Sequence, residues 1–165
     1  MVRFGFLAVI LGFLVLAGCE DLPCTKSADQ NRIDTLNQTQ LQSDIAAIDA
    51  YLASKNITAV KDPTGIRYVV KKEGFGGTPC LENQVTFIYK VFLLSNGKEI
   101  ESGILERQLK DLILAWQVIL PQFPKDTKIT LYVPSGFAYG ASESSSGAIP
   151  ANSNLIFDIE MTNIR

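Results

Sequence analysis

Three stretches of this chain alternate apolar and polar residues with a period of two. They are Val85, Phe87, Tyr89, Val91 and Leu93; Ile129, Leu131 and Val133; and Leu155, Phe157, Ile159 and Met161. Successive side chains of an extended strand point to opposite faces, so each stretch buries one face and wets the other. Two further strands are expected beside them. Ile66 to Lys72 follows the turn cluster Asp62-Pro63-Thr64-Gly65, and Gly74, Gly76 and Gly77 close it. Glu99 to Glu101 follows Ser95-Asn96-Gly97-Lys98, where Asn-Gly supplies the positive φ of a tight hairpin. The last two long strands are expected over Thr127 to Val133 and Asn154 to Ile164.

The amino terminus belongs to a different class of segment. Arg3 precedes an almost wholly apolar run from Phe4 to Leu16, and Leu16-Ala17-Gly18-Cys19 ends it with small residues before a cysteine. This reads as a secretory signal closing in a bacterial lipobox, since a transmembrane helix needs about 20 apolar residues. Cys19 is the expected lipidation site and anchor to a membrane, at the periplasmic face or the cell surface. Residues 1–18 are then the signal peptide, 19–38 a polar tether, 39–62 a helical extension and 63–165 the folded domain. Removing the first 18 of 165 residues leaves 147, enough for a substantial core. Losing Arg3 takes the net charge from −2 to −3, which gives nucleic acid no footing. Cys24 and Cys80 can pair in an oxidising compartment, although sequence alone leaves the pairing open.

Within the extension, Thr39-x-x-Gln42 has the form of a capping box. It precedes Leu41, Ile45, Ile48 and Leu52 at helical spacing, and the helix is expected to end near Lys55-Asn56. The stripe has two uses, docking on the domain or on a second copy of the chain. Farther along, Leu105, Leu109, Leu112, Ile113, Trp116 and Ile119 also recur at helical spacing, with Pro121 beyond. Periodicity by itself gives one helix over about Ile104 to Leu120. Strands joined by hairpins around a single helix make an antiparallel α+β domain.

Conventional catalytic machinery is scarce. The chain has no histidine, so the commonest serine and cysteine nucleophiles lack their usual base. Without histidine or a Cys-x-x-Cys pair there is no expected metal site. Gly74-x-Gly76-Gly77 lacks the strand–helix setting of a phosphate loop and reads as a turn. No cofactor is implied. What remains is a set of aromatic and aliphatic groups on and beside strands, with Phe137, Tyr139, Ile149 and Pro150 displayed on a turn-rich loop.

Phe137-Ala138-Tyr139-Gly140, then Ile149-Pro150, then Leu155-Ile156-Phe157-Asp158 follow in an order and spacing that resembles the FKBP-type peptidyl-prolyl cis–trans isomerases. The likeness runs from about Gln84 to Arg165. It implies an antiparallel sheet of about five strands wrapped around one short helix near Leu112 to Leu120, with extended chain before it. We favour that shorter helix over the longer one. The resemblance also implies an apolar pocket with Trp116 as its floor and Tyr89, Tyr139, Ile149 and Phe157 as walls. Leu112 and Ile113 fall where the family offers a backbone amide to the substrate carbonyl. Ile100 and Glu101 stand where the family usually has Phe-Asp, and the segment Ser102 to Asp111 is several residues shorter than usual. The implied catalytic set is Tyr89, Glu101, Trp116, Tyr139 and Phe157, with Ile100, Leu112, Ile113 and Ile149 binding substrate.

Such a site suits rotation about an X-Pro bond. The barrier of about 18–20 kcal/mol comes from lost amide resonance. No bond forms or breaks, so neither nucleophile nor general acid is needed. A twisted amide carries less charge separation than a planar one, and a water-poor apolar cleft favours it. Three functions are compatible with these residues. The first is isomerisation of X-Pro bonds in exported, Pro-containing polypeptides. The second is a catalytically weak binding or chaperone module of the same fold. The third is a structural lipoprotein assembling through its Leu41–Leu52 helix.

Overall fold

The computed structural model describes residues 24–144 and 147–165; the signal segment and Cys19 lie outside the described residues. The described chain forms helices α1 (Gln30–Asp34), α2 (Gln38–Ser54) and α3 (Leu114–Ile119). Its strands are β1 (Val60–Lys61), β2 (Arg67–Lys72), β3 (Gln84–Leu93), β4 (Glu99–Gln108), β5 (Lys128–Val133) and β6 (Leu155–Ile164). The order across the single sheet is β1-β2-β5-β6-β3-β4, and every neighbouring pair is antiparallel. The five expected strands are present, and the two-residue β1 adds a sixth at one edge.

The period-two pattern does what it implies. Val85, Phe87, Val91, Leu131, Val133, Leu155, Phe157, Ile159 and Met161 are buried in one core, which α3 closes with Ala115, Trp116 and Ile119. The opposite face of the sheet is apolar at only one end. There Tyr132 and Ile156 meet Ile48 and Leu52 of α2 in a second, smaller cluster. Burying aliphatic side chains of this size contributes about 1.5–3 kcal/mol each. The α2 stripe is therefore consumed within its own domain: Leu41, Ile48 and Leu52 are buried, and Ile45 packs beside them. It is not available to a second copy.

Three local expectations are corrected. The cap of α2 is Asn37, whose side-chain oxygen accepts from the Gln40 N–H at 3.0 Å, so the helix starts ahead of the Thr39-x-x-Gln42 box. Strand β4 continues from Glu101 through Gln108, over residues whose apolar spacing also suits a helix. Its backbone pairs along β3 from Glu99↔Phe92 to Gln108↔Gln84, and those ladder bonds override a weak side-chain periodicity. Finally, the segment expected as a tether is docked from residue 24 onward. Cys24 and Cys80 form a disulfide with a Cα–Cα distance of 5.1 Å. Lys26 donates to the Thr78 carbonyl at 2.7 Å, Ala28 is buried, and Ile33 and Leu36 pack on the main core.

Candidate functional site

The β3–β4 hairpin sets the first wall. Tyr89 pairs with Gly103 and Val91 with Glu101, so Tyr89, Val91 and Glu101 share one face of the sheet. Tyr89 and Glu101 are diagonal neighbours there, within reach of long side chains. The Tyr89 hydroxyl donates to the Glu101 carboxylate. The register then shifts: Phe92 pairs with Glu99, leaving Ile100 as the extra residue of a β-bulge. Ile100 packs against the core but does not line the pocket.

Helix α3 supplies the floor. Trp116 is 3% exposed, and three rings meet it edge to face: Phe87 at 4.9 Å, Phe157 at 5.7 Å and Tyr89 at 6.0 Å between centroids. Such tilted pairs add about 0.5–1.5 kcal/mol each beyond their buried area. The indole N–H is buried and meets no acceptor among the described residues. Ile113 caps the helix, its carbonyl accepting from the Trp116 N–H at 3.0 Å. Among the described residues no acceptor meets the Ile113 N–H. The preceding Leu112 carbonyl is held by the Gln117 side-chain amide at 2.6 Å, and Gln117 is in turn met by Arg32 of α1 at 3.3 Å.

The last wall comes from the turn after β5. A single 3₁₀ turn over Ser135–Phe137 buries Phe137 and delivers Tyr139, which is 39% exposed. Together Tyr89, Glu101, Leu112, Ile113, Trp116, Tyr139 and Phe157 surround a hollow of about 200 Å³, with Val91 and Leu105 completing it. Ile149 is 3% exposed, packed in the core and not on the lining, with its N–H donating to the Ser144 hydroxyl at 3.0 Å.

The site is poor in charge. Its carboxylate is Glu101 and its other polar side-chain groups are the two tyrosine hydroxyls and the indole N–H. Burial, and then the Glu101 carboxylate, push Tyr89 up to about 12, so its hydroxyl stays protonated at neutral pH. Burial and Glu101 push Tyr139 up as well. A larger hollow of about 380 Å³ lies on the other face of the sheet, bordered by Lys71, Lys90, Lys128, Asp158 and Glu160. Ile88, Tyr89, Ile129 and Ile159 also border it, Tyr89 is its one aromatic residue, and Lys128 and Glu160 pair at 2.8 Å on its rim. The smaller cavity has the converging aromatic groups.

Of the nine pocket residues inferred from sequence, seven converge; Ile100 and Ile149 do not. Val91 and Leu105 are the additions. Val91 shares the alternation of Tyr89, a signal that places it on the same face. Leu105 was hidden by its double fit to helix and strand spacing.

Comparison with known proteins agrees with this geometry. The family model for FKBP-type peptidyl-prolyl cis-trans isomerase matches residues 76–162. The FkpA isomerase of Buchnera aphidicola is 35% identical over 126 residues, covering 71% of this chain and 51% of its own. The Mip isomerase of Coxiella burnetii is 32% identical over 119 residues, covering 68% and 51%. The crystal structure of FkpA from Escherichia coli superposes with a TM-score of 0.62 at 28% identity, over 82% of this chain and 68% of that one. A peptidyl-prolyl cis-trans isomerase structure from Pseudomonas syringae shares the fold, with a TM-score of 0.63 at 24% identity, over 74% and 94%. The chain spans about half the length of the curated relatives it matches. With the family model covering more than half of its residues and the apolar pocket in place, this chain belongs to the FKBP-type peptidyl-prolyl cis-trans isomerase family.

Proposed function

We propose that this protein isomerises X-Pro bonds of exported polypeptides, binding the twisted amide in the Trp116 pocket. The observation that carries the reading is the convergence of Trp116, Phe157, Tyr89 and Tyr139 on one hollow of about 200 Å³. Phe157 and Trp116 hold the proline ring by apolar contact. The Ile113 N–H and the Tyr139 hydroxyl are the donors for substrate carbonyl oxygens. As the amide twists, its oxygen loses charge and its nitrogen becomes pyramidal. An environment poor in water and in charge disfavours the planar, more polar ground state, so the barrier falls without proton transfer. Uncatalysed exchange takes about 10–100 s, which leaves a wide margin for a purely environmental effect.

A protease-coupled or NMR exchange measurement on a Leu-Pro or Phe-Pro peptide tests this. Catalysis that falls steeply in Tyr139→Ala and Trp116→Ala is expected. Exchange at the uncatalysed rate, with the peptide still shifting Trp116 fluorescence, would leave a binding module. The displacement of Ile100 from the wall favours that second reading, since one face of the proline site then rests on Val91 and Leu105.

The envelope location is proposed on the lipobox at Leu16 to Cys19 and on the Cys24–Cys80 disulfide, which suits an oxidising compartment. Lipid on Cys19 is checked by mass spectrometry of the mature amino terminus in the native host. An unmodified terminus, or an intact Met1, would remove the anchor.

A further inference from the structure

We propose that Asp44, on helix α2 and outside the family-matched residues 76–162, is a positioning residue that sets Tyr139 in the pocket. The inference rests on the isomerase reading for its consequence in rate, but its structural content stands apart from it.

Asp44 is a carboxylate 3% exposed, on a helix face otherwise made of Leu41, Ile48 and Leu52. An acid buried among aliphatic groups costs free energy unless its oxygens are met. Here one oxygen accepts from the Gln40 side-chain amide at 2.8 Å. The other accepts from both the hydroxyl of Ser135, at 2.6 Å, and its backbone N–H, at 2.9 Å. Ser135 lies 91 residues away in sequence and is itself 1% exposed.

Ser135 begins the turn that presents Tyr139. Its carbonyl accepts from the N–H groups of Ala138, at 3.0 Å, and Gly140, at 2.8 Å, the two residues flanking Tyr139. The Gly140 carbonyl then accepts from Asn152 at 2.7 Å, tying the turn to the approach of β6. A continuous chain of hydrogen bonds therefore runs from α2 through one serine to both neighbours of a pocket tyrosine. Asn154 also accepts from the Ser135 N–H, at 3.0 Å, so the amide has a second partner. Among the described residues the Ser135 hydroxyl has Asp44 as its acceptor. Removing the carboxylate leaves that buried hydroxyl unmet, the arrangement in which a lost partner costs most. The turn must then shift to find water or another acceptor. A displacement on the order of 1 Å in a substrate-holding group is enough to cost up to roughly 100-fold in rate.

The test compares Asp44→Ala, Asp44→Asn, Ser135→Ala and Leu52→Ala in the full mature chain. Amide exchange at Ala138 and Gly140 is followed by NMR alongside kcat/KM on a Leu-Pro peptide. Asp44→Ala is expected to speed exchange at both amides and to lower kcat/KM about 10- to 100-fold. Asp44→Asn keeps an accepting oxygen and should recover most of the loss, whereas Ser135→Ala should reproduce a smaller part of it. Leu52→Ala, in the separate Tyr132–Ile156 cluster, should lower stability without changing either readout. Unaltered protection at Gly140 in Asp44→Ala, or an equal loss in Leu52→Ala, overturns the proposal. Should Asp44→Ala not fold, Asp44→Asn and Ser135→Ala decide it. If the wild-type chain does not isomerise the peptide, the proposed function fails while the exchange measurement still judges Asp44.

Discussion

The Tyr89 hydroxyl donates to the Glu101 carboxylate across the β3–β4 hairpin, on the face that walls the pocket. Burial and this partner raise Tyr89 from an ordinary value of 10.0 to about 12. The folded chain then holds that proton more tightly than the unfolded chain. Its contribution to stability is complete below pH 10 and is lost as the pH rises to about 12. Urea unfolding of the wild type should therefore weaken more steeply than that of Tyr89→Phe across this window. The raised groups Tyr132 and Tyr139 are common to both proteins and cancel. Parallel pH profiles would refute the assignment.

Glu101 is expected to act as an acceptor rather than as a general base. Glu101→Gln keeps an oxygen for Tyr89 and should stay within about threefold of wild-type kcat/KM. Glu101→Ala should lose roughly tenfold, the equivalent of about 1.4 kcal/mol from one hydrogen bond to a charged group. A Gln variant as poor as the Ala variant would point to proton transfer instead.

Trp116 and Tyr139 should separate stability from activity. Trp116 is buried beneath three rings, so Trp116→Ala should destabilise the fold by about 3–5 kcal/mol. Tyr139 is 39% exposed, and Tyr139→Ala should cost less than about 1 kcal/mol while lowering kcat/KM about tenfold or more. Thermal unfolding and peptide exchange on the same samples check both. Because Trp116 is the only tryptophan, intrinsic fluorescence reports the pocket floor directly during a titration with a Pro-containing peptide.

The disulfide should matter for the amino-terminal segment more than for the sheet. Cys24 and Cys80 are separated by 56 residues, a loop for which chain entropy gives about 4 kcal/mol. Replacing both with serine should lower unfolding stability by an amount of that order. Proteolysis should then cut first near residues 24–38, outside the sheet. Cleavage starting in β3 or β6 would contradict this.

Asp49 and Arg67 join α2 to β2. The Arg67 guanidinium donates to both Asp49 oxygens, at 2.9 and 3.2 Å, and holds the Asp49 carboxyl below its ordinary value of 3.8 against the opposing effect of burial. Lys61, at 3.2 Å, adds to it. A depressed carboxyl contributes stability above pH 3.8 that is lost as the pH falls through its lower folded value. Asp49→Asn should be less stable at neutral pH, with a shallower further loss in acid. An unchanged acid limb would exclude Asp49 as a contributor.

The sheet was legible because alternation in Val85–Leu93 and Leu155–Met161 is a local consequence of strand geometry. Tyr139 and Phe157 stand in Phe137-Ala138-Tyr139-Gly140 and Leu155-Ile156-Phe157-Asp158, the motifs that carry the resemblance to the FKBP-type isomerases, and only that resemblance pointed to Tyr89 and Trp116. Ile100 was misplaced because a bulge is a register event between two strands, and no property of Ile100 itself announces it. Leu105 was obscured because apolar residues on an edge strand can satisfy helical spacing by accident. The docking of residues 24–38 escaped because that segment is polar, and what fixes it is a disulfide, a lysine bridge to Thr78 and three small apolar contacts.

The sequence by itself determined that this chain makes an antiparallel sheet of hairpin-joined strands, and its resemblance to the FKBP-type isomerases implied one short helix and an aromatic pocket. The strands follow from side-chain periodicity, which acts between near neighbours, whereas periodicity alone draws the helix from Ile104 to Leu120. Only the tertiary structure decided which residues face the hollow, how the Tyr89 and Glu101 side chains meet, and that Asp44 reaches Ser135 across 91 residues. Those outcomes depend on strand register and on the satisfaction of buried polar groups. Both are settled only when distant segments compete for the same hydrogen bonds within one core.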